Sequence, residues 1–223
     1  MTRIALVDVD GTLVDTNYQH TIAWARAFRR VDITVPLWRI HRHNGMGGDQ
    51  LVGAVAGAEV EERHGDMLRE AWKEEFDPFL PEIAPVEGAH DLLAGMQEVG
   101  VRVVLASSGK PDHVKIFMDL VKAHDVIEAW TTSEDVERTK PHPDLLEVAL
   151  AKLAEAGTPA GDEDDIVMIG DSVWDCAAAA RLGARSLAVR IGGFGREELL
   201  EAGADDVFDT LAELGAAMGA RRS

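Results

Sequence analysis

Three kinds of residue are scarce in this chain: cysteine, aromatic residues and basic residues. The 223 residues include one cysteine, Cys176, so the sequence excludes an internal disulfide. Cys176 precedes four alanines on a predicted helix, which indicates a small, packed side chain. Lysine and arginine number 22 against 40 aspartates and glutamates, and the formal net charge is −18. Because nucleic acids and anionic membranes favour a basic protein face, we expect neither as a partner.

The sequence also has no long apolar run and no amino-terminal secretory pattern, so we expect a soluble, cytoplasmic protein. It contains no low-complexity tract, no internal repeat and no feature that indicates an oligomeric state. A chain of 223 residues can bury a large core, either as one domain or as a core with a small insert.

The first apolar strand pattern, Ile4-Ala-Leu-Val7, is followed by two aspartates, Asp8 and Asp10. Residues two apart on a strand share a side, so this pair should converge just beyond the carboxyl end, where α/β sheets bind ligands. Like charges that close repel each other unless a cation or a shared proton separates them. The pair therefore predicts a metal-assisted nucleophile beside a proton-transferring carboxylate. The alternative is an Asp-Gly turn with a second, solvated aspartate.

A second strand pattern, Val101-Arg-Val-Val-Leu105, ends at two serines. Ser107 and Ser108 follow it, and a helix is predicted to begin at Pro111. Hydroxyls and free amides at a helix start bind anions, so this segment is a candidate phosphate site. The alternative is a serine that only caps the helix.

Two further segments place charged side chains at helix starts. Lys140 precedes a helix whose leucines and alanines share one face, and a strand over residues 166–169 leads to Asp171 and Asp175. A cation and two carboxylates there would complete a phosphate and metal site. Taken singly, each also fits a solvated lysine or a turn-forming aspartate.

The order of predicted elements divides the chain into a core and an insert. Residues 1–16 give the first strand and its turn, whereas 17–84 read as helices without a convincing strand. From residue 85 onward helices alternate with strands, which are predicted over residues 101–105, 166–169 and 186–189. This alternation predicts an α/β fold, a Rossmann-like parallel sheet with helices on both faces. The core therefore comprises 1–16 and 85–223, and 17–84 form an inserted all-α domain.

The insert reverses the charge balance of the whole chain. Residues 24–50 contain five arginines against two aspartates, namely Arg26, Arg29, Arg30, Arg39 and Arg42. A solvated helix face accounts for the first three. Arg42–Gly48 contains three glycines and predicts a loop that can approach an anionic substrate closely. Elsewhere in the insert, Thr16 is predicted to cap the first helix, and Glu59–Phe76 to form a long one.

Together, the four core segments resemble the haloacid dehalogenase superfamily. Its phosphatases carry Asp-x-Asp-Gly-Thr, an apolar strand ending in Ser or Thr, a Lys, and a final Gly-Asp-x-x-x-Asp, and all four are present here. The resemblance runs from Arg3 to about Val207. It implies that the insert is a cap, which closes over the site and helps to choose the substrate. A phosphoacceptor receiver domain also joins such residues around magnesium, but it is much shorter and lacks a long insert.

The resemblance implies a magnesium-dependent phosphatase that hydrolyses a small-molecule phosphate monoester through an aspartyl phosphate. In that scheme Asp8 is the nucleophile and Asp10 the proton carrier. Ser107 and Lys140 hold the transferring phosphoryl oxygens. The implied ligands of Mg²⁺ are Asp8, the backbone carbonyl of Asp10, Asp171 and, as an occasional direct ligand, Asp175. The implied substrate contacts are Gly11, Thr12 and Ser108 in the core and His20, Arg42, Asn44 and Gly45 in the cap.

Other members of the superfamily give alternatives. A β-phosphoglucomutase-like sugar-phosphate mutase is the main one, because His20 and Trp24 follow the first motif much as they do there. A mutase must hold a second phosphate, for which Arg42 or Lys73 is available in the cap. A phosphonate-cleaving relative needs an amine-forming cap lysine, which only Lys73 offers. The dehalogenating branch lacks the second aspartate of the first motif, so Asp10 argues against it. A catalytically silent binding protein is least favoured, because the core motifs are intact.

Overall fold

A computed structural model describes residues 3–157, 159–161 and 165–220. The strands are β1 (Arg3–Val7), β2 (Val101–Ala106), β3 (Ala129–Thr131), β4 (Asp165–Gly170), β5 (Arg185–Val189) and β6 (Asp206–Phe208). They form one parallel sheet in the order β3-β2-β1-β4-β5-β6. The predicted α/β fold with a Rossmann-like parallel sheet is confirmed.

Strand β1 lies at the middle of the sheet because nearly all of its side chains are apolar and buried. Parallel strands that helices cover on both faces have such unbroken apolar runs. The register places Val7 of β1 opposite Leu105 of β2 and Ile169 of β4. The residues that follow these three strands therefore leave the sheet at the same edge.

In the described part of the chain, ten α-helices connect and cover the strands. Those before β2 are α1 (Asn17–Arg29), α2 (Leu37–His41), α3 (Gly48–Ala56), α4 (Ala58–Phe76) and α5 (Ala89–Glu98). Those after β2 are α6 (Pro111–Leu120), α7 (Asp144–Ala156), α8 (Val173–Leu182), α9 (Arg196–Glu201) and α10 (Leu211–Ala220). Two short 3-10 helices cover Asp77–Glu82 and Ser133–Asp135. None of the described helices combines the length and apolar character that crossing a membrane requires.

The insert consists of helices, as its pattern predicted. Residues 17–84, all of which the structure describes, contain no strand, and the predicted long helix corresponds to α4. Helices α1 and α4 pack against each other through buried Trp24, Phe28 and Leu68. Each such side chain contributes about 1.5–3 kcal/mol when fully buried. We propose that the cap is this helical unit, residues 17–84, and that the core is 1–16 and 85–223.

Two local predictions differ from the structure. Thr16 occupies the residue before α1, but its side chain makes no capping hydrogen bond. Its hydroxyl donates instead to Asp10 Oδ1 at 3.1 Å, because Asp10 lies beside the helix start. The sequence also did not reveal β3 and β6, which have three residues each and are too short for a recognisable pattern.

Candidate active site

The carboxyl edge of the sheet brings together the four segments that the motifs singled out. Asp8 directly follows β1, and its backbone N–H donates to the carbonyl of Ile169 at 2.9 Å. Ser107 follows β2 and Asp171 follows β4. All three side chains are buried. The shared register of the parallel strands thus fixes the core half of the site.

Lys140 supplies the positive charge between these carboxylates. Its side chain is completely buried, and its Nζ bonds to Asp8 Oδ1 and lies 2.8 Å from Asp175 Oδ1. Burial lowers the pKa of Lys140, but the charges of Asp175 and Asp8 outweigh it and raise this pKa above its ordinary value. The ammonium group is therefore charged and ready to attract the oxygens of a phosphate.

Three buried carboxylates form an acidic cluster around this single cation. Oxygens of Asp8, Asp171 and Asp175 lie within 4.8 Å of one another. Burial, together with the charge of Asp175, raises the pKa of Asp171 to about 7. Burial also raises the pKa of Asp8, although Lys140 opposes it. A hard divalent cation prefers such oxygen ligands and would supply the missing positive charge, so the residues fit a metal of this kind.

Thr12 of the first motif and Asn17, which follows that motif, hold the Asp171 carboxylate of the cluster in place. Thr12 is fully buried, and its Oγ1 donates to Asp171 Oδ1 at 3.0 Å. Asn17 Nδ2 donates to Asp171 Oδ2 at 2.9 Å. Gly11 has a φ of 85°, and a Cβ there would lie 2.3 Å from Asn17 Nδ2, so no other residue fits. The expectation that Thr12 contacts substrate is therefore corrected: its hydroxyl is occupied in holding Asp171.

Asp10 lies on the other side of Asp8, at the entrance to α1. Its Oδ1 accepts hydrogen bonds from Thr16 Oγ1 at 3.1 Å and from His20 Nε2 at 2.8 Å. Burial raises the pKa of Asp10, but the His20 and Thr16 hydrogen bonds and the charge of His20 outweigh it, so the pKa lies below its ordinary value. His20 stacks on Phe76 with centroids 4.2 Å apart, which fixes the ring against Asp10. These contacts stabilise the ionised carboxylate of Asp10 and fix its orientation.

A cavity of about 200 Å³ separates this core edge from the cap. Asp8, Asp10 and Ser108 line the core side, whereas His20 and Asn44 line the cap side. The cavity is also lined by Gly45, Met46, Trp24, Leu51, Arg69, Trp72, Lys110, Ser133, Glu134 and Glu137. The cavity thus joins the predicted nucleophile to a chamber that can receive the rest of a substrate.

The two serines after β2 contribute differently. Ser107 is fully buried, and its Oγ accepts a hydrogen bond from the Gly109 N–H at 2.9 Å and lies 3.5 Å from Asp10 Oδ2. Ser108 lines the cavity, and its Oγ has no partner among the described residues. Ser107 therefore fixes the turn beside Asp10, while Ser108 forms part of the cavity wall.

Arg42 does not enter the cavity, contrary to the expectation from its loop. Its Nη2 donates to Glu198 Oε1 at 2.6 Å, and its guanidinium carbon lies 4.2 Å from the centroid of the Phe194 ring. Its backbone carbonyl also accepts a hydrogen bond from Trp174 Nε1 at 3.2 Å. These contacts hold Arg42 against α9 and α8 in the core, so it joins the cap loop to the core and does not face the predicted substrate.

Asn44 and Gly45 do line the cavity, as the loop predicted. Asn44 is buried, and its Nδ2 donates to the backbone carbonyl of Asn17 at 2.6 Å and to Thr21 Oγ1 at 3.0 Å. Its Oδ1 has no partner among the described residues. The loop is therefore fixed to α1 where it lines the cavity.

The sequence reasoning missed a second connection between cap and core. Asp49 Oδ2 accepts from the Thr139 N–H at 3.0 Å, and Thr139 Oγ1 donates to Asp49 Oδ1. The Gly47 N–H in turn donates to Thr139 Oγ1 at 3.0 Å. Because Thr139 directly precedes Lys140, these bonds tie the cap loop to the segment that carries the cation. No local sequence pattern links residues 90 positions apart. Asn17 was also missed, although its place just after the first motif could have indicated a role at the site.

Comparison with known proteins gives a consistent result. A family model described as haloacid dehalogenase-like hydrolase matches residues 5–189. Validoxylamine A 7'-phosphate phosphatase from Streptomyces hygroscopicus subsp. limoneus is 28% identical over 157 residues, which cover 69% of this chain and 72% of that protein.

Two solved structures are similar to this chain over all or nearly all of its length. A hydrolase from Pseudomonas syringae is 29% identical, with 100% of both chains covered and a TM-score of 0.88. A mutant of CbbY from Rhodobacter sphaeroides, in complex with xylulose-(1,5)bisphosphate, is 25% identical, with 96% of this chain and 97% of that chain covered and a TM-score of 0.74.

Proposed function

The chain belongs to the haloacid dehalogenase-like hydrolases and is a phosphatase of that family, and we propose that it hydrolyses a small-molecule phosphate monoester through an aspartyl phosphate on Asp8. Family membership confirms the resemblance that the four motifs predicted. The observation that carries the proposal is the buried contact of Asp8 with Lys140, with Asp10 beside the same cavity. Two of the relatives, the validoxylamine A 7'-phosphate phosphatase and the CbbY mutant, act on or bind a small phosphorylated compound, which supports a small ester as substrate.

In the first step, a carboxylate oxygen of Asp8 attacks phosphorus, and the bond to the leaving oxygen breaks. Asp10 donates its proton to that oxygen, so the substrate leaves as an alcohol. Lys140 offsets the negative charge on the phosphoryl oxygens as the anionic carboxylate approaches, and Ser107 fixes the turn that faces them. The product of this step is an aspartyl phosphate on Asp8.

In the second step, Asp10 takes a proton from a water molecule, and the resulting hydroxide attacks the phosphorus of the aspartyl phosphate. The acyl phosphate bond breaks, inorganic phosphate forms, and the Asp8 carboxylate is regenerated. The hydrogen bonds from His20 and Thr16 to Asp10 Oδ1 keep the carboxylate turned toward the reacting atoms in both steps. One positioned group thus serves as acid and then as base.

We propose Mg²⁺ as the metal, held by Asp8, the backbone carbonyl of Asp10 and Asp171, with Asp175 in support. When bound, Mg²⁺ would reduce the repulsion between the acidic cluster and an incoming phosphate. Asp175 also accepts hydrogen bonds from Ser172 and bonds to Lys140, which favours a supporting role.

A phosphate-release assay over a panel of metabolite monoesters with Mg²⁺ tests the function. We expect turnover that excess chelator abolishes and added Mg²⁺ restores. We expect Ca²⁺ to inhibit, because its looser and higher coordination can occupy both oxygens of Asp8 and leave none free to attack. Full activity in metal-free enzyme would contradict the metal requirement. No hydrolysis of any monoester, acetyl phosphate included, would contradict the phosphatase function.

A further inference from the structure

We infer that the cavity selects a leaving group that carries no second anionic group. This selection rests on the phosphatase function proposed above and narrows its substrate class. Three features of the cavity lead to it: the pairing of the cap cations, the charges at the rim, and the aromatic wall.

The cap cations that could hold a second anion already have partners. Arg69, which lines the cavity, donates to Glu61 Oε1 at 2.8 Å, to Asp66 Oδ1 at 2.9 Å and to the Gly48 carbonyl at 3.1 Å. Lys73 bonds to Asp77 Oδ2 at 2.6 Å, and Arg42 is held by Glu198. Neither Lys73 nor Arg42 lines the cavity. A second phosphate would have to break one of these ion pairs. The free energy lost in doing so would weaken the binding of the second phosphate that a mutase requires.

The charges at the rim on the core side are negative overall. Lys110 is the one lining cation that forms no ion pair in the described part of the chain. Glu134 and Glu137 line the same cavity, and both side chains are exposed. Two carboxylates against one ammonium group repel a second anion and tolerate a neutral or positively charged group.

The opposite wall of the cavity is aromatic. Trp24 and Trp72 stack with their ring centroids 5.5 Å apart, and both line the cavity beside Leu51. A flat indole face packs well against the C–H face of a ring or short carbon chain. This wall therefore fits the uncharged carbon skeleton of a leaving group and offers nothing to a second anion.

Matched pairs of phosphate esters test this selection with the whole protein and Mg²⁺. The pairs are glycerol 3-phosphate with 3-phosphoglycerate and glucose 6-phosphate with glucose 1,6-bisphosphate, each measured as substrate and as competitor of acetyl phosphate. We expect the member without a second anionic group to have the higher kcat/KM, or the stronger inhibition, by on the order of tenfold. Equal values, or preference for the member with the second anionic group, would overturn the inference. If neither acetyl phosphate nor any of these esters is hydrolysed, it is the proposed function that has failed.

Two double variants then locate the selection. Glu134→Gln with Glu137→Gln removes the rim charges, and we expect the preference within each pair to fall roughly threefold to tenfold. Glu98→Gln with Glu155→Gln removes two exposed charges near the start of β2, at the opposite edge of the sheet, and serves as the matched control. We expect the control to keep the preference of the unmodified protein. A preference that survives in the rim variant shows that these charges do not select, and overturns that part of the inference.

Discussion

The two sides of the cavity are built by different means. On the core side, Asp8, Ser107 and Asp171 each follow a strand, and the sheet register alone brings them together. On the cap side, Asn44 is positioned by hydrogen bonds to α1, and Arg42 by contacts with Glu198, Phe194 and Trp174 of the core. The core side is therefore positioned by the sheet register, whereas the cap side depends on individual side-chain contacts. This difference indicates that the chemistry is fixed by the fold and the choice of substrate by the cap.

The largest expected effect comes from breaking the core side at its nucleophile. Asp8→Asn keeps the size of the side chain but removes the attacking carboxylate. We expect turnover to fall by on the order of 10⁴-fold or more for every substrate, with no phosphoenzyme formed. Rapid acid quenching with a phosphate-labelled ester measures the phosphoenzyme directly.

Loss of folding would give the same loss of activity, so thermal unfolding is the control for Asp8→Asn. Asp8 is one of three clustered carboxylates, and burial raises its pKa. Removing its charge relieves repulsion, while Lys140 keeps its contact with Asp175. The variant should therefore remain folded. A phosphoenzyme in folded Asp8→Asn would remove Asp8 from the role of nucleophile.

Asp10→Asn should have the next largest effect and should depend on the leaving group. The amide oxygen can still accept from Thr16 and His20, so the geometry is kept and only the proton carrier is lost. We expect a loss of roughly 10²- to 10⁴-fold for alkyl esters. A phenolic ester, whose leaving group needs little protonation, should lose much less in the first step. An equal loss for phosphoenzyme formation from both esters would remove Asp10 from the role of acid.

The core side could be predicted from the sequence because its determinants are local. An apolar run, a following polar residue and a helix start identify each strand end, and parallel strands put such ends at one edge. This reasoning predicted one edge for Asp8, Ser107 and Asp171, and the family resemblance added Lys140. Asp8, Lys140 and Asp171 lie together in the structure, and Ser107 lies beside Asp10. Thr12 was misassigned because its hydroxyl bonds to a residue 159 positions away, which no local pattern reveals.

The cap side could be predicted only as a loop. The glycines of Arg42–Gly48 indicated a bend near the site, and Asn44 and Gly45 do line the cavity. The direction of Arg42 depends on Glu198, 156 residues away, and on the packing of Phe194. Such contacts form only after the core has folded, so the charge of an arginine alone did not indicate where it points.

The connection between the two sides gives a smaller, testable effect. Thr139→Val keeps the shape of a buried residue but removes the hydroxyl that bonds to Asp49 and Gly47. The partners left unpaired should cost about 1–3 kcal/mol, which lowers Tm by several degrees. Because the bonds hold the cap loop beside Lys140, we expect KM to rise more for large esters than for acetyl phosphate.

Thr210→Val is the matched control for Thr139→Val. The Thr210 hydroxyl accepts from the Glu213 N–H at 3.1 Å at the start of α10, and Thr210 does not line the cavity. Its loss should lower stability by about 1 kcal/mol. The ratio of KM values between large esters and acetyl phosphate should stay the same. A change in this ratio for both variants would attribute it to stability and not to the cap connection.

We expect the smallest effect for Arg42→Ala. This variant tests whether an arginine of the cap loop affects substrate choice through its charge even though it faces the core. The Arg42 and Glu198 side chains are 33% and 46% exposed, so water screens their ion pair, and we expect a loss of about 0.2–1 kcal/mol of stability. Because Arg42 faces the core and not the cavity, the ratio of kcat/KM values between substrates should change less than about threefold. Asn44→Ala, two residues along, changes a residue that lines the cavity and should change that ratio more. If Arg42→Ala shifts substrate preference as strongly as Asn44→Ala, the Arg42 guanidinium leaves Glu198 to contact substrate. The conclusion that Arg42 faces the core and only Asn44 faces the cavity would then be wrong.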